Sequence, residues 1–217
     1  MNLPIPDELK SRFSVVIDGG TLEHVFNFPQ ALKNSMEMVA VGGHFLAVTP
    51  CNNYMGHGFY QFSPELFFRA FSEENGFKLE DVFICRWPRG RWYRVSDPKV
   101  IGTRVELINH YPTSLFVQAK RLRKTEVFAT TPQQSDYVAN WTGTTSPPSP
   151  PSAPRDKSVR SFVKRVFPEF IKRPIKNVMA VCRQDTHFKI TNKSAFQPID
   201  LTPPEARSQQ SLRADKG

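Results

Sequence analysis

Acidic and histidine side chains directly follow a short apolar run near the start of the sequence. The run Phe13–Ile17 ends at Asp18, two glycines come next, and Glu23 and His24 follow them. Ligands of open α/β sheets bind beyond the carboxyl ends of the strands, so this stretch is placed for chemistry. An imidazole suits a general base, which makes His24 a candidate catalytic residue together with Glu23. The alternative is that Glu23 favours a helix N-terminus and His24 hydrogen-bonds a neighbouring strand.

A second candidate cluster lies in the loop CNNYMGHGFYQF, residues 51–62. This loop follows the next apolar strand, so we expect it at the same edge of the sheet as Asp18. His57 stands between glycines in a loop and is the third candidate catalytic residue. Asn53 and Tyr60 are candidates for binding a substrate.

These side chains are positioned by a predicted β-α-β unit. The run that ends at Asp18 fits a strand buried on both faces. A helix begins at Asn27-Phe28-Pro29 and ends at Gly42-Gly43, and the second strand is His44–Thr49. The two strands are expected to be parallel, with a right-handed crossover.

Three further elements complete the predicted sheet. Ser63 and Pro64 open a second helix. Phe77–Cys85 is the third strand, and Leu115–Ala119 is a short last strand. Residues 86–113 form a long connection between those two strands.

Arginine and aromatic residues alternate at the start of this connection. Arg89, Arg91 and Trp92 are predicted to overhang the site and to bind an anionic or carbohydrate acceptor. The alternative is a solvated basic loop packed by its own tryptophans.

The basic charge of the chain is concentrated in one segment. The formal net charge is +9, and residues 120–176 carry 12 basic and 4 acidic residues. Residues 1–119 are close to neutral, which argues against a nucleic-acid-binding core.

Cysteine and histidine spacing predicts neither a disulfide framework nor a metal site. Cys51, Cys85 and Cys182 are odd in number and far apart, and His44, His57 and His110 lack ligand spacing. We expect free thiols in a reducing, cytoplasmic protein without a signal peptide or transmembrane helix.

Composition divides the chain into three parts. We predict an α/β domain over residues 1–125, a Pro/Ser-rich linker over 126–157 that is disordered or polyproline-like, and a basic amphipathic tail over 158–217 that is partly disordered. Residues 158–176 place apolar residues on one side and basic residues on the other, which suits an anionic membrane surface.

The stretch FSVVIDGGTLEHV, followed by VGGHFLAVTP and later by LFVQAKR, resembles the C-terminal half of class I S-adenosylmethionine-dependent methyltransferases. The resemblance covers about residues 10–122. It implies a Rossmann-like sheet whose last strand is inserted antiparallel. It also implies S-adenosylmethionine as cofactor, bound along Asp18, Gly19, Gly20, Thr21 and Leu22.

The glycine-rich cofactor turn of that family is not found upstream of Phe13. We therefore expect an N-terminally truncated methyltransferase domain that lacks about 100 residues, at ~30 per βα unit. It would transfer a methyl group to a small or sugar-like acceptor if the missing half is supplied, for example by a partner chain that completes the sheet. The alternative is an inactive half-domain that serves as an interaction or membrane-surface protein.

Overall fold

The structure is a computed structural model that describes residues 1–87, 90–142 and 189–199. Its strands are β1 Phe13–Asp18, β2 Val39–Asn52, β3 Phe77–Arg86, β4 Arg91–Val95, β5 Thr113–Arg121 and β6 Phe196–Ile199. Its helices are α1 Phe28–Met38, α2 Pro64–Ala70, α3 Pro98–Ile101 and α4 Ser135–Thr142. The six strands form one open sheet in the order β1-β2-β5-β3-β4-β6, so the described residues have a mixed α/β fold.

The predicted β-α-β unit is confirmed in β1, α1 and β2. The two strands pair in parallel, with Asp18 opposite Ala47. Asn27 precedes α1 and Pro29 lies in its first turn. This arrangement brings the carboxyl ends of β1 and β2 to the same edge of the sheet.

The predicted helix end at Gly42-Gly43 is wrong, because α1 ends at Met38 and β2 begins at the next residue. The two glycines lie inside β2 instead. A Cβ on Gly43 would lie 2.6 Å from the carbonyl oxygen of Ser14. Glycine at this position therefore permits the close approach of β1. In the sequence alone, a glycine with this packing role looks the same as a glycine that ends a helix.

The expectation that β1 is buried on both faces is also wrong. Val15 is 47% exposed and Ile17 is 69% exposed. Phe45 of β2, on the opposite face of the sheet, is fully buried in the core, whereas Val48 shares the face of Ile17 and is exposed. Within the described residues, the face that carries Ile17 lacks a covering layer near β1.

The last strand of the predicted domain is inserted antiparallel, as expected. β5 lies between β2 and β3 and runs antiparallel to both, with Phe116 opposite Val48 on one side and Phe83 on the other. β3 consequently runs in the same direction as β2, and its carboxyl end reaches the same edge of the sheet.

The predicted connection over residues 86–113 contains two elements that the sequence analysis missed. β4 forms a hairpin with β3, in which Arg94 makes an ion pair with Asp81. The four-residue helix α3 follows, and the Asp97 side chain caps it by accepting a hydrogen bond from the Lys99 amide at 2.8 Å.

Residues beyond 125 contribute to the described fold. Val127 is fully buried in the core, α4 lies within the predicted linker, and β6 pairs antiparallel with β4. Residues 158–176 and residues 143–157 of the linker lie outside the described residues, so the three-part division stays a prediction. Among the described helices, none is both long and apolar enough to cross a bilayer.

The end of α1 is fastened to the sheet by one buried guanidinium group. Arg121 of β5 is 2% exposed, and its Nη1 donates to the carbonyl oxygens of Met36 at 3.3 Å, Glu37 at 3.0 Å and Val39 at 2.6 Å. These carbonyls lie at the C-terminus of the helix, where the Met36 carbonyl also accepts the Val39 amide and the Glu37 carbonyl also accepts the Ser11 amide at 2.7 Å. Burial lowers the pKa of Arg121, and the nearby Glu37 carboxylate acts in the opposite direction.

Replacing Arg121 by methionine is expected to lower the free energy of unfolding by about 3 kcal/mol, because buried carbonyl oxygens lose a charged donor. Denaturant unfolding of the full chain, followed by circular dichroism, measures the change. The neighbouring Lys120→Met is the control, with an expected change below about 0.5 kcal/mol. Equal losses in both variants would show that Arg121 has no special role.

Candidate functional site

The candidate site lies where β1 and β2 end. Asp18 is the last residue of β1, and a 3₁₀ turn at Leu22–His24 follows it. The loop after β2, residues 53–62, returns over this turn. The backbone amides of Phe59 and Tyr60 donate to the carbonyl oxygen of Glu23 at 2.7 and 3.3 Å, which joins the two segments.

Asp18 holds the turn that leaves β1. It is 5% exposed, and its Oδ1 accepts a hydrogen bond from the Thr21 amide at 2.9 Å. Its Oδ2 is buried without a hydrogen-bond partner among the described residues. Burial raises the pKa of Asp18, the Thr21 amide opposes this rise, and the Glu23 carboxylate adds to it.

The two glycines after Asp18 differ in their surroundings. Gly20 has φ +94°, and a Cβ there would lie 3.1 Å from Oε1 of Glu23. A Cβ on Gly19 would meet nothing within 4 Å. Open space therefore borders the backbone at Gly19, whereas Gly20 is required by its own conformation. Leu22 is buried in the core and Thr21 is exposed.

Glu23 is the buried acid of the site. It is 1% exposed, and its Oε2 accepts a hydrogen bond from the Thr49 hydroxyl at 3.3 Å. Its Oε1 lies 3.8 Å from Nε2 of His57. A carboxylate at this depth requires polar partners, and Thr49 and His57 are the ones that face it.

The two histidines lie together at the mouth of the site. The ring centroids of His24 and His57 are 5.2 Å apart with an interplanar angle of 63°, and both residues are exposed. Tyr54 lies beside them, 5.7 Å from His57 between ring centroids, and its hydroxyl group bonds Ser114 at 2.8 Å. The three candidate catalytic residues are thus brought into one cluster.

Thr49 and Tyr54 were not singled out by the sequence analysis. Thr49 is an ordinary β-former at the end of an apolar strand, so no local pattern distinguishes it. Tyr54 lies in the quoted loop, but the partner of its hydroxyl group, Ser114, comes from β5. Both were identifiable only through contacts between distant parts of the chain.

Two of the predicted acceptor-binding residues have partners within the chain. The Asn53 side-chain amide donates to the carbonyl oxygens of Asn109 and Tyr111 at 2.9 and 3.0 Å. The Tyr60 hydroxyl group donates to the carbonyl oxygen of Phe26 at 2.7 Å. These bonds fix the loop, and contact of either residue with an acceptor stays a prediction.

The residues predicted to overhang the site lie at the same edge of the sheet as the candidate site, but they are displaced along that edge. Arg91 and Trp92 begin β4, which is separated from β2 by two strands, so they lie ~14 Å from β2 across the sheet. The Trp92 ring packs against Phe116, with centroids 4.2 Å apart. Arg89 lies outside the described residues.

The arrangement suits proton transfer at the surface. A buried carboxylate faces one of two exposed imidazoles, and an imidazole placed in this way can accept a proton from a neighbouring group. The open backbone at Gly19 offers room for a bound molecule beside it.

Gly58 is expected to be essential for this geometry. It has φ +81°, and a Cβ there would lie 2.7 Å from the carbonyl oxygen of Glu23. Gly58→Ala should lower the free energy of unfolding by about 2 kcal/mol and speed hydrogen exchange at the Phe59 amide, because that amide bonds the same carbonyl.

Gly56 provides a matched control for the Gly58 variant. Its φ is +82°, but a Cβ there would meet nothing within 4 Å. Gly56→Ala should cost about 1 kcal/mol from backbone strain alone, without changing exchange at Phe59. If the two variants behave alike, the contact with Glu23 does not hold the loop.

Comparisons with known proteins give little further information. No protein-family model matches the chain, and no curated protein matches it. One solved structure similar to it is from Bacillus halodurans C-125, a protein provisionally assigned as a methyltransferase. The likeness has a TM-score of 0.34 and 14% sequence identity, and it covers 53% of this chain and 66% of that chain, just under two thirds of its length.

Proposed function

We propose that this chain forms part of a methyltransferase that transfers a methyl group from S-adenosylmethionine to a small or sugar-like acceptor. The observation that supports it most is the topology. β5 is inserted antiparallel between β2 and β3, beside a parallel β1-β2 pair that ends in the Asp18 turn. This is the strand arrangement that the sequence resemblance implies.

The cofactor would lie along the Asp18–Leu22 turn. Space beside Gly19 allows a ligand to approach the backbone closely, and Asp18 carries a buried oxygen that has no partner within the described part of the chain. Contacts from one turn hold only part of so large a molecule. The remaining contacts would come from a further polypeptide segment that pairs with β1.

The acceptor would lie between the cofactor and the histidine pair. As the methyl group passes from the sulfonium sulfur to an acceptor hydroxyl oxygen, the hydroxyl proton would move to a neutral imidazole of His24 or His57. Glu23 would stabilise the resulting imidazolium, since its Oε1 faces His57 at 3.8 Å. The products are S-adenosylhomocysteine and the methylated acceptor.

A second candidate function, an interaction protein, is favoured by the outer side of β1. Phe13, Val15 and Ile17 are exposed on one face, and the free edge of β1 lacks a paired strand among the described residues. Such an edge is a template for strand addition by another chain. Association of residues 158–176 with an anionic membrane surface stays a separate prediction, outside the described residues.

Gly19→Leu is expected to reduce cofactor binding at least tenfold. The side chain would enter open space, so folding should be unchanged, but it would block approach to the Asp18 turn. Saturation-transfer NMR with the full chain and S-adenosylmethionine detects weak binding. Gly19→Ala, which adds only one methyl group in open space, is the control and should bind nearly as well as the wild-type chain. Absent saturation transfer in the wild-type chain, or equal transfer in Gly19→Leu, would overturn the proposed cofactor site.

The exposed face of β1 is expected to cause self-association in the isolated chain. The double variant Val15→Lys and Ile17→Lys should shift the chain toward monomer in light scattering at increasing concentration, because charged edge residues oppose pairing. Val100→Lys is the control, since Val100 is 82% exposed on α3, away from β1. A wild-type chain that is monomeric throughout would contradict the prediction.

A further inference from the structure

We infer that Glu23, His24 and His57 form a binding site for a divalent transition-metal ion. The inference goes beyond methyl transfer, because it needs only the geometry of these three side chains. The spacing of His44, His57 and His110 predicts no metal site, but the fold places His24 beside His57. The fold assembles a different set of residues.

The ligand atoms of the three residues converge. One carboxylate oxygen and one nitrogen from each imidazole lie within 4.8 Å of one another. Tetrahedral ligands at metal distances of 2.0–2.2 Å lie about 3.4 Å apart, so closing the site requires movements of roughly 1 Å. Both histidines are exposed, and rotation of their rings supplies such movements without disturbing the core.

The buried charge at this site favours a cation. Glu23 and Asp18 are 1% and 5% exposed, and in the described part of the chain no lysine or arginine nitrogen lies within 4.0 Å of either carboxylate. Oδ2 of Asp18 has no hydrogen-bond partner there either. Buried carboxylates are normally paired with a cation or bound to a metal, so a bound ion would stabilise this arrangement.

The contacts around Glu23 are those expected for a metal ligand. Thr49 is 2% exposed and donates its hydroxyl hydrogen to Oε2, which leaves Oε1 directed at His57. Such hydrogen bonds orient ligating carboxylates in metalloproteins. Glu23 and His24 are adjacent in the 3₁₀ turn, and both contribute a ligand atom to the cluster. The backbone carbonyl of Glu23 accepts hydrogen bonds from the loop that carries His57.

The ligand types select the class of metal. Two imidazoles and one carboxylate suit Zn²⁺, Fe²⁺ or Co²⁺ rather than Mg²⁺ or Ca²⁺, which prefer sites made of oxygen ligands. Three protein ligands leave coordination positions open for water or an acceptor hydroxyl group. A ligated imidazole nitrogen has no free lone pair, so an ion here would take over activation of the acceptor from the histidine base.

Cobalt titration of the full, chelator-treated chain tests the inference. The wild-type chain should bind one equivalent of Co²⁺ at this site, with visible absorption bands that added Zn²⁺ abolishes. His24→Asn and His57→Asn should each weaken binding at least tenfold; both residues are exposed, so the variants should fold normally. Glu23→Gln should do the same while keeping the shape of the buried side chain.

His110→Asn is the matched control, because His110 is an exposed histidine outside the cluster and should leave Co²⁺ affinity unchanged. A wild-type chain without Co²⁺ binding would overturn the inference. So would unchanged affinity in both His24→Asn and His57→Asn, since the ion would then occupy another site. Cofactor binding by saturation transfer is measured without metal, so failure of the metal site and failure of the methyltransferase proposal are distinguishable.

Discussion

The backbone carbonyl of Glu23 joins two segments that are far apart in the sequence, and the site depends on this junction. It accepts hydrogen bonds from the amides of Phe59 and Tyr60, and only glycine fits at position 58 beside it. The loop after β2 is thereby held over the turn after β1. The loop covers the Glu23 side chain, which is therefore buried. The loop also carries His57, which therefore lies close to Glu23.

An aromatic core on one face of the sheet supports this junction. Phe45 of β2 stacks on Phe71 at the end of α2, with ring centroids 4.8 Å apart, and Phe71 packs edge-on against Phe77 at 5.2 Å. Phe62, at the end of the loop, is 5.1 Å from Phe28 of α1. These contacts fix both helices to the face that carries Phe45. The same one-sided packing leaves the face of Ile17 exposed, which is unusual for parallel strands.

Sequence patterns predicted those helices and strands that are determined by residues close together in the sequence. Ser63 does accept a hydrogen bond from the Glu65 amide at 3.2 Å at the start of α2, and the apolar runs did become β1, β2, β3 and β5. β4 is missed by sequence patterns because the alternation of arginine and aromatic residues in Arg91–Val95 also suits a loop, whereas its ion pair to Asp81 and its pairing with β6 come from other parts of the chain. The sequence pattern placed His24 and His57 at one edge of the sheet. The approach of His57 to Glu23 depends on how the loop after β2 lies over the turn after β1. Gly43 was misread because close packing and helix termination both favour glycine.

The edge of β1 that lacks a partner strand among the described residues meets the candidate site at Asp18. A strand added in parallel to β1 would end at the same edge of the sheet, and the turn after it would lie beside Gly19. Such a strand would cover the apolar side of β1 and at the same time supply groups to any molecule bound along the Asp18 turn. It would also deepen the burial of Asp18, whose pKa is already raised by burial. A strand that pairs with β1 would therefore change the surroundings of the carboxylates of the candidate site, so completion of the sheet and binding there would be coupled by geometry.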